Sequence, residues 1–395
     1  MAATPPALPT GGLTDEERLL QQTVRDFAAR EVAPGAAKRD EEERYDRALF
    51  DRMAELGLTA VPFPAEIGGA GFSYRAWTLV MEEIAYADMA LAVSLSVHIL
   101  SQYPVITWGT DEQKARWLPD MLTGKQMGAF ALTEPQAGSD ASQLKLRAVR
   151  AGTASAPTSY ALTGTKIWIS NSAEATRFLV FASTDPSMGA RGITAFLVEK
   201  DTPGFSLGAL EHKLGIRSDS TGELIFKDAV VPAENKLGLE GAGYKIALSA
   251  LSEGRISIAA ACVGVAQAAL DAAAKYLTER RAFGGPLSDQ QGLRFMLAEM
   301  AQKVAAARAL TRAAAEAKDR GEPIGEVSSL AKWTASDAAM SVTTDAVQLF
   351  GGSGYSREFP VERYMRDAKG AQIYEGTNQI HRLIVADALI KRVTG

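Results

Sequence analysis

Two stretches of this chain concentrate residues that could do chemistry. The later one reads QLFGGSGY at residues 348–355 and resumes as QIYEGTNQIHR at residues 372–382. Its glycines Gly351, Gly352 and Gly354 let backbone approach a bulky anion such as a diphosphate, which side chains would block. Glu375 stands between Tyr374 and Gly376, just ahead of the helical spacing of Ile380, Ile384 and Ala388, with Thr377 or Asn378 at the N-cap. Two readings are open for it. It is a solvated acid that complements a helix N-terminus, or a carboxylate in an apolar pocket whose pKa rises by desolvation until it suits proton abstraction near neutral pH. The earlier stretch, FALTEPQAGSD at residues 130–140, sets Thr133, Glu134, Ser139 and Asp140 beside Pro135 and Gly138. Such a loop either presents hydroxyls and N–H groups to a ligand or is a polar turn.

Other engines are missing. There is no G-x-G-x-x-G after a strand, no phosphate-loop G-x-x-x-x-G-K-[ST] and no G-x-S-x-G elbow. The three histidines, His98, His212 and His381, lack metal-ligand spacing, and the single cysteine, Cys262, can form neither an internal disulfide nor a thiolate cage, so no metal is expected.

The elements that position these stretches follow a helix, sheet, helix order. Thr14 with Glu17 forms a capping box ahead of Leu20, Val24 and Phe27, and Gly57 stops a helix through Leu49 and Met53. Thr110 with Gln113 opens another helix, which Gly124 closes. From about 126 the texture turns to short β-branched and aromatic runs at 160–162, 166–169, 178–183, 193–199 and 223–226, cut by Gly, Pro and Asp. Beyond about 241, Leu293, Met296 or Leu297, Met300, Val304, Ala307 and Leu310 keep the three-and-four spacing of a helix packed on helices. The fold expected is α+β: a short flexible tail at 1–12, an N-terminal helical domain at 13–125, a middle antiparallel β-barrel-like domain at 126–238 and a C-terminal four-helix bundle at 239–395.

Composition agrees. The chain has 395 residues, 47% of them hydrophobic and 23% charged, which is enough for a large core. A formal charge of −5 removes the basic field that a nucleic-acid binder needs. The uncharged run at 89–110 is long enough to span a bilayer but is broken by Ser94, Ser96, His98, Ser101, Gln102 and Pro104, and reads as a buried helix with no membrane span. Neither a secretory signal nor a transit peptide is visible in the first residues, which points to the cytoplasm.

Taken together, FALTEPQAGSD, KIWISN at 166–171, ERRAFG at 279–284, QLFGGSGY and YEGTNQIHR, in this order and spacing, resemble the acyl-CoA dehydrogenase family over nearly the whole chain. The resemblance implies an FAD-dependent enzyme, usually a homotetramer, that introduces a trans double bond between C2 and C3 of an acyl-CoA and passes electrons to an electron-transferring flavoprotein. Carried over by position, Glu375 is the base that removes the C2 proton while a hydride leaves C3 for flavin N5. Thr133 and Ser170 hydrogen-bond the flavin ring and Trp168 flanks it, with Phe130, Leu132 and Thr377 also on the cofactor. Arg280, Phe283, Gln291, Gln348 and Gly352 hold the adenine and diphosphate end, partly for a neighbouring subunit. Ser139, Arg255, Tyr374 and Gly376 contact the acyl-CoA.

One branch of that family places its base on the long helix, just before the equivalent of Arg255. Here that position is Gly254, and Glu253 one step earlier is rotated by about 100°, so Glu253 should point away and Glu375 keeps the role. An acyl-CoA oxidase and a catalytically silent flavin- or CoA-binding assembly protein are the alternatives. The length disfavours the first, and the intact Glu375 disfavours the second. Short to medium or short branched acyl groups are expected. Among the remaining residues, His381 is expected on a helix surface, His98 in the core or an interface, and Cys262 as a small buried hydrophobe.

Overall fold

The computed structural model describes residues 12–153 and 156–395, so the tail expected at 1–12 falls, but for its last residue, outside the described residues. Helices come first: α1 (Asp15–Phe27), α2 (Ala36–Glu41), α3 (Arg47–Glu55), α4 (Tyr74–Ala87), α5 (Met89–Trp108) and α6 (Asp111–Leu122). Both capping boxes form, with Thr14 Oγ1 accepting from the Glu17 N–H and Thr110 Oγ1 from the Gln113 N–H. Gly57 and Gly124 follow α3 and α6 at φ of 74° and 69°, the left-handed geometry that suits a glycine stop. Asp88 caps α5 and closes a buried ion pair with Arg39 at 2.8 Å.

The strands are β1 (Gly128–Ala131), β2 (Arg147–Thr153), β3 (Ala156–Ile169), β4 (Arg177–Ser183), β5 (Ile193–Glu199), β6 (Phe205–Leu210), β7 (Gly222–Pro232) and β8 (Lys236–Leu237). Their order is β6-β7-β3-β2-β4-β5-β8, with β1 beside β4. The sheet is mixed rather than wholly antiparallel. One edge of β4 is shared between β1, parallel along Arg177 to Val180, and β2, parallel at Ser183. The two runs at 160–162 and 166–169 belong to the single strand β3. Gly164 between them, at φ 144°, accommodates a register irregularity instead of a turn, and a Cβ there would lie 3.0 Å from the Leu146 Cα.

β4 and β5 read as continuous apolar runs because both of their faces are covered. Phe178, Val180, Phe196 and Val198 face the sheet's own core, whereas Leu179, Phe181, Ala195 and Leu197 join the helical core. The middle domain is thereby locked onto the helices.

The C-terminal part is built from α7 (Gly243–Glu279), the short hairpin β9 (Arg281–Ala282) and β10 (Gly285–Pro286), α8 (Gln291–Asp319), α9 (Gly325–Phe350), α10 (Val361–Ala371) and α11 (Asn378–Thr394). On α8, Met300, Val304 and Ala307 are buried, flanked by half-buried Leu293, Met296, Leu297 and Leu310. α5 and α7 are both long and apolar enough to cross a membrane, and in this fold each is largely covered by protein. α4 crosses α7 at Gly264, where a Cβ would stand 2.2 Å from the Glu82 carbonyl oxygen.

His98 joins three elements. Its Nδ1 accepts from the Gly128 N–H at 3.0 Å and its Nε2 donates to the Met121 carbonyl at 2.9 Å, so α5 holds both α6 and β1. Burial pushes its pKa down to about 4, so the ring is neutral at physiological pH. We predict that His98→Leu, which strands two buried backbone groups, lowers stability by roughly 2–4 kcal/mol; denaturant unfolding of the variant against the parent protein checks this.

Candidate active site

The loop between α10 and α11 carries Glu375 in a left-handed conformation at φ 52°, followed by Gly376 at φ 90°. Left-handed backbone is unfavourable for a glutamate and persists only where the surroundings hold it. Here they do so from α9. Asp337 accepts from Gln372 Nε2 and Asn378 Nδ2, both at 2.7 Å, and Ser336 is hydrogen-bonded to Asn378. Thr377 caps α11 by accepting from the Ile380 N–H, so the chain enters the helix directly after the strained pair.

The strain directs the Glu375 carboxyl onto α7. A Cβ built on Gly254 would meet Glu375 Oε2 at 2.4 Å, so the carboxyl group occupies the space that a side chain there would fill. Oε2 is sealed from solvent and has no hydrogen-bond partner among the described residues. Burial raises the Glu375 pKa from its ordinary value to about 7, with Lys332 and Arg255 opposing the rise by their charge. Tyr374 is beside it, its hydroxyl buried and likewise unpartnered. The backbone N–H of Glu375 is bound to no acceptor among the described residues, which leaves it available to a ligand.

Glu253, one residue before Gly254, is committed elsewhere. It is buried and paired with Lys318 of α8, and its carbonyl accepts from the Tyr74 hydroxyl at 3.0 Å. Arg255 is also buried, with one guanidinium nitrogen 3.3 Å from Ser329 Oγ and its Nε without a partner. Burial lowers its pKa while Glu375 raises it.

The residues expected around a flavin ring lie on the middle domain. The Thr133 carbonyl accepts from the Ile167 N–H at 3.0 Å, joining the FALTEPQAGSD loop to the end of β3. Trp168 follows at φ 58° with 54% of its surface exposed, and Ser170 donates to Asp219 Oδ2 at 2.8 Å. Asp219 belongs to a loop that packs on α10, where Ile216 donates its N–H to buried Asp367; Asp219 also lies within electrostatic reach of Tyr374. Both domains therefore border the same region. A half-uncovered indole beside half-buried Thr133 and Ser170 fits a flat ring system.

Several expected positions stand differently. Phe130 and Leu132 turn their side chains into the helical core, Phe130 against Phe181 at 5.0 Å. Ser139 is exposed in the loop that follows. Glu134, whose loop read from sequence as either ligand-presenting or a polar turn, is a buried clamp: it pairs with fully buried Lys166 at 2.7 Å and accepts the N–H groups of Lys145 and Leu146. His381, expected on the surface, is fully buried under the Gly376 turn, because the first turn of α11 folds back beneath that turn against α9.

Arg280, Phe283, Gln291, Gln348 and Gly352 cluster at the other end of α7. There Tyr276 stacks on Phe350 with ring centroids 4.1 Å apart, joining the end of α7 to the glycine-rich turn. All five are exposed, Phe283 at 91%. A Cβ on Gly351 or Gly352 would meet nothing. At ~1.5 Å rise per residue, Gly254 and Arg280 stand about 39 Å apart along the helix.

Sequence reasoning missed Lys332. It is fully buried on α9, and its Nζ donates to the Gly376 carbonyl at 2.7 Å. The available signal was its place in the helical stripe of Ser328, Ala331, Ala335, Ala339 and Val342, an otherwise small and apolar face.

The helical, sheet and helical order of the chain, with half-buried Glu375 at the meeting of its last two helices, agrees with family comparison. Residues 14–125, 129–229 and 241–390 match the acyl-CoA dehydrogenase N-terminal, middle and C-terminal domains respectively. The chain belongs to the acyl-CoA dehydrogenase family and is an oxidoreductase of that flavoprotein family. It is 45% identical over 380 residues to the mitochondrial short-chain specific acyl-CoA dehydrogenase of Mus musculus, covering 96% of this chain and 91% of that protein. Its structure is similar to that of butyryl-CoA dehydrogenase from Megasphaera elsdenii, with a TM-score of 0.94, 43% identity and coverage of 96% and 100%. It is equally similar, at TM-score 0.94 and 45% identity, to a chain from a structure of the electron transferring flavoprotein of Acidaminococcus fermentans, with coverage of 96% and 99%.

Because the carboxyl group fills the place of a Gly254 side chain, Gly254→Ala should fold normally yet displace Glu375. We predict a fall in kcat of about 10²-fold from that displacement, measured by steady-state turnover of a short acyl-CoA beside an unchanged melting temperature.

Proposed function

We propose that this protein is an FAD-dependent dehydrogenase of short acyl-CoA thioesters, producing the trans-2-enoyl-CoA with Glu375 as the base. The observation that carries the reading is the Glu375 carboxyl group, held on Gly254 without a hydrogen-bond partner and with its pKa raised by burial to about 7. A base near neutrality combines a useful ionised fraction with enough proton affinity to attack a weakly acidic C–H.

The chain's residues divide the work. Glu375 takes the C2 proton onto its carboxylate. Its own N–H, free of acceptors among the described residues, can donate to the thioester oxygen as charge develops there; one donor of this kind is typically worth about 3 kcal/mol. Gly376 and Tyr374 shape the same turn. Arg255 keeps positive charge beside the pocket. FAD, when bound, would supply the oxidising equivalent for loss of hydride from C3. Trp168, Thr133 and Ser170 would hold its ring, and Thr377 lies beside the base. Short acyl groups are supported by the names of the Mus musculus and Megasphaera elsdenii relatives. An electron-transferring flavoprotein is the proposed acceptor, supported by the Acidaminococcus fermentans structure.

The distance along α7 supports assembly. Arg280, Phe283, Gln291, Gln348 and Gly352 lie at the far end of α7 from Glu375. They would serve the adenine and diphosphate end in a neighbouring copy, as expected of a homotetramer.

Two outcomes test this reading. Glu375→Gln should retain yellow FAD while anaerobic bleaching by butyryl-CoA slows by about 10² to 10⁴ or more; near-normal bleaching would refute the assignment. In the parent protein, kcat/KM should rise with pH through about 7, since only the ionised carboxylate accepts a proton. A pH-rate profile flat across that range would contradict it.

A further inference from the structure

Lys332 is a lysine with no exposure at all, standing directly beneath the turn that carries Glu375. Its Nζ donates to the Gly376 carbonyl at 2.7 Å and lies 3.3 Å from Asn378 Oδ1. Those two acceptors bracket the first residues after Glu375, so one ammonium group bonds both ends of the bend leading into α11. A buried lysine is expensive to keep charged and is retained only where acceptors and opposite charge compensate. Three neutral or partly negative groups do so here: a carbonyl, an amide oxygen, and the Glu375 carboxyl group in electrostatic reach.

We propose that Lys332 is a positioning residue for the dehydrogenation, its ammonium group fastening the left-handed Glu375–Gly376 turn to α9 and providing a buried counter-charge to the carboxylate. Asp337 and Ser336, from the same helix, complete the attachment through Gln372 and Asn378. The hydrogen bond fixes the direction in which Glu375 leaves the backbone, and the charge favours its ionised form.

The charged and titratable groups facing this pair are few. α7 contributes Arg255 and Cys262, α9 contributes Asp337, α4 contributes Tyr74, the turn contributes Tyr374, and α11 contributes His381. Burial pushes the His381 pKa down to about 3, so it is neutral at the relevant pH. Burial holds the Cys262 and Tyr374 groups in their neutral forms. Arg255 is therefore the other cation acting on Glu375, and it stays in place when Lys332 is changed.

The inference rests on Glu375 being the base, and its test separates the two. Lys332→Met keeps volume while removing hydrogen bond and charge, and Lys332→Arg keeps the charge. In each FAD-loaded holoenzyme, the protonation of Glu375 is followed by infrared difference spectroscopy against Glu375→Gln, alongside the pH profile of kcat/KM with butyryl-CoA. In Lys332→Met, both the carboxyl titration and the acidic limb of the profile should move up by about one pH unit. Turnover below the limb should fall about tenfold, KM should change little, and Lys332→Arg should restore most of the shift. If Lys332→Met does not fold, Lys332→Gln, which keeps a donor without the charge, carries the same titration. An unmoved titration overturns the proposal at Lys332 itself. A titration that moves while the kinetic limb stays fixed overturns it through its premise, that Glu375 is the base.

Discussion

A carboxyl group lodged against the backbone of a buried helix, with no hydrogen bond to Oε2 among the described residues, is the constraint around which this molecule is arranged. An isolated buried carboxylate is strongly unfavourable and is expected either to take up a proton or to find a cation. Glu375 stands between these outcomes. Burial pushes it towards the neutral acid, and Lys332 with Arg255 pulls it back, leaving a group that titrates near neutrality. The sign for stability follows. Since the folded chain holds this proton up to about pH 7 and the unfolded chain releases it near 4.5, the contribution of this group is full below the lower value and lost as pH rises through the upper one. Stability is thus given up for a carboxyl group that titrates near physiological pH, as the proposed base requires.

The rest of the fold serves that placement. α7 supplies the glycine that makes room and is buried without a break from Glu253 to Ala269, α9 supplies the attachment for the loop, and α4 closes on α7 at Gly264. The sheet is fixed to the helices by β4 and β5, whose two faces enter two different cores, so Trp168 and Ser170 are held by the same frame as Glu375. The opposite end of α7 exposes Arg280 and, beyond it, Phe283, which are part of the proposed cofactor site.

Much of this was legible from residue types and spacing. The capping boxes at Thr14 and Thr110, the glycine stops and the helix, sheet, helix order are local features, and local sequence encodes them. The direction of β1 and the continuity of β3 were not legible, because strand partners and a bulging Gly164 are set by distant segments. At the site, Glu375 was marked by its neighbours, yet the meaning of Gly254 emerged only when a loop more than a hundred residues later was folded onto it. Glu134, Lys166, Lys332 and His381 escaped because charged and imidazole groups read as surface residues, and burial depends on partners that lie far away in the chain.

The central claim is that Glu375 moves a proton at C2, and isotope exchange isolates that step from oxidation. Holoenzyme is incubated anaerobically in D₂O with an acyl-CoA analogue whose third atom is sulfur, which has no hydrogen to transfer, and deuterium at C2 is followed by mass spectrometry. The parent protein should exchange the C2 hydrogen and Glu375→Gln should not, with FAD bound in both. Equal exchange in the two proteins, or none in the parent protein, would contradict the account.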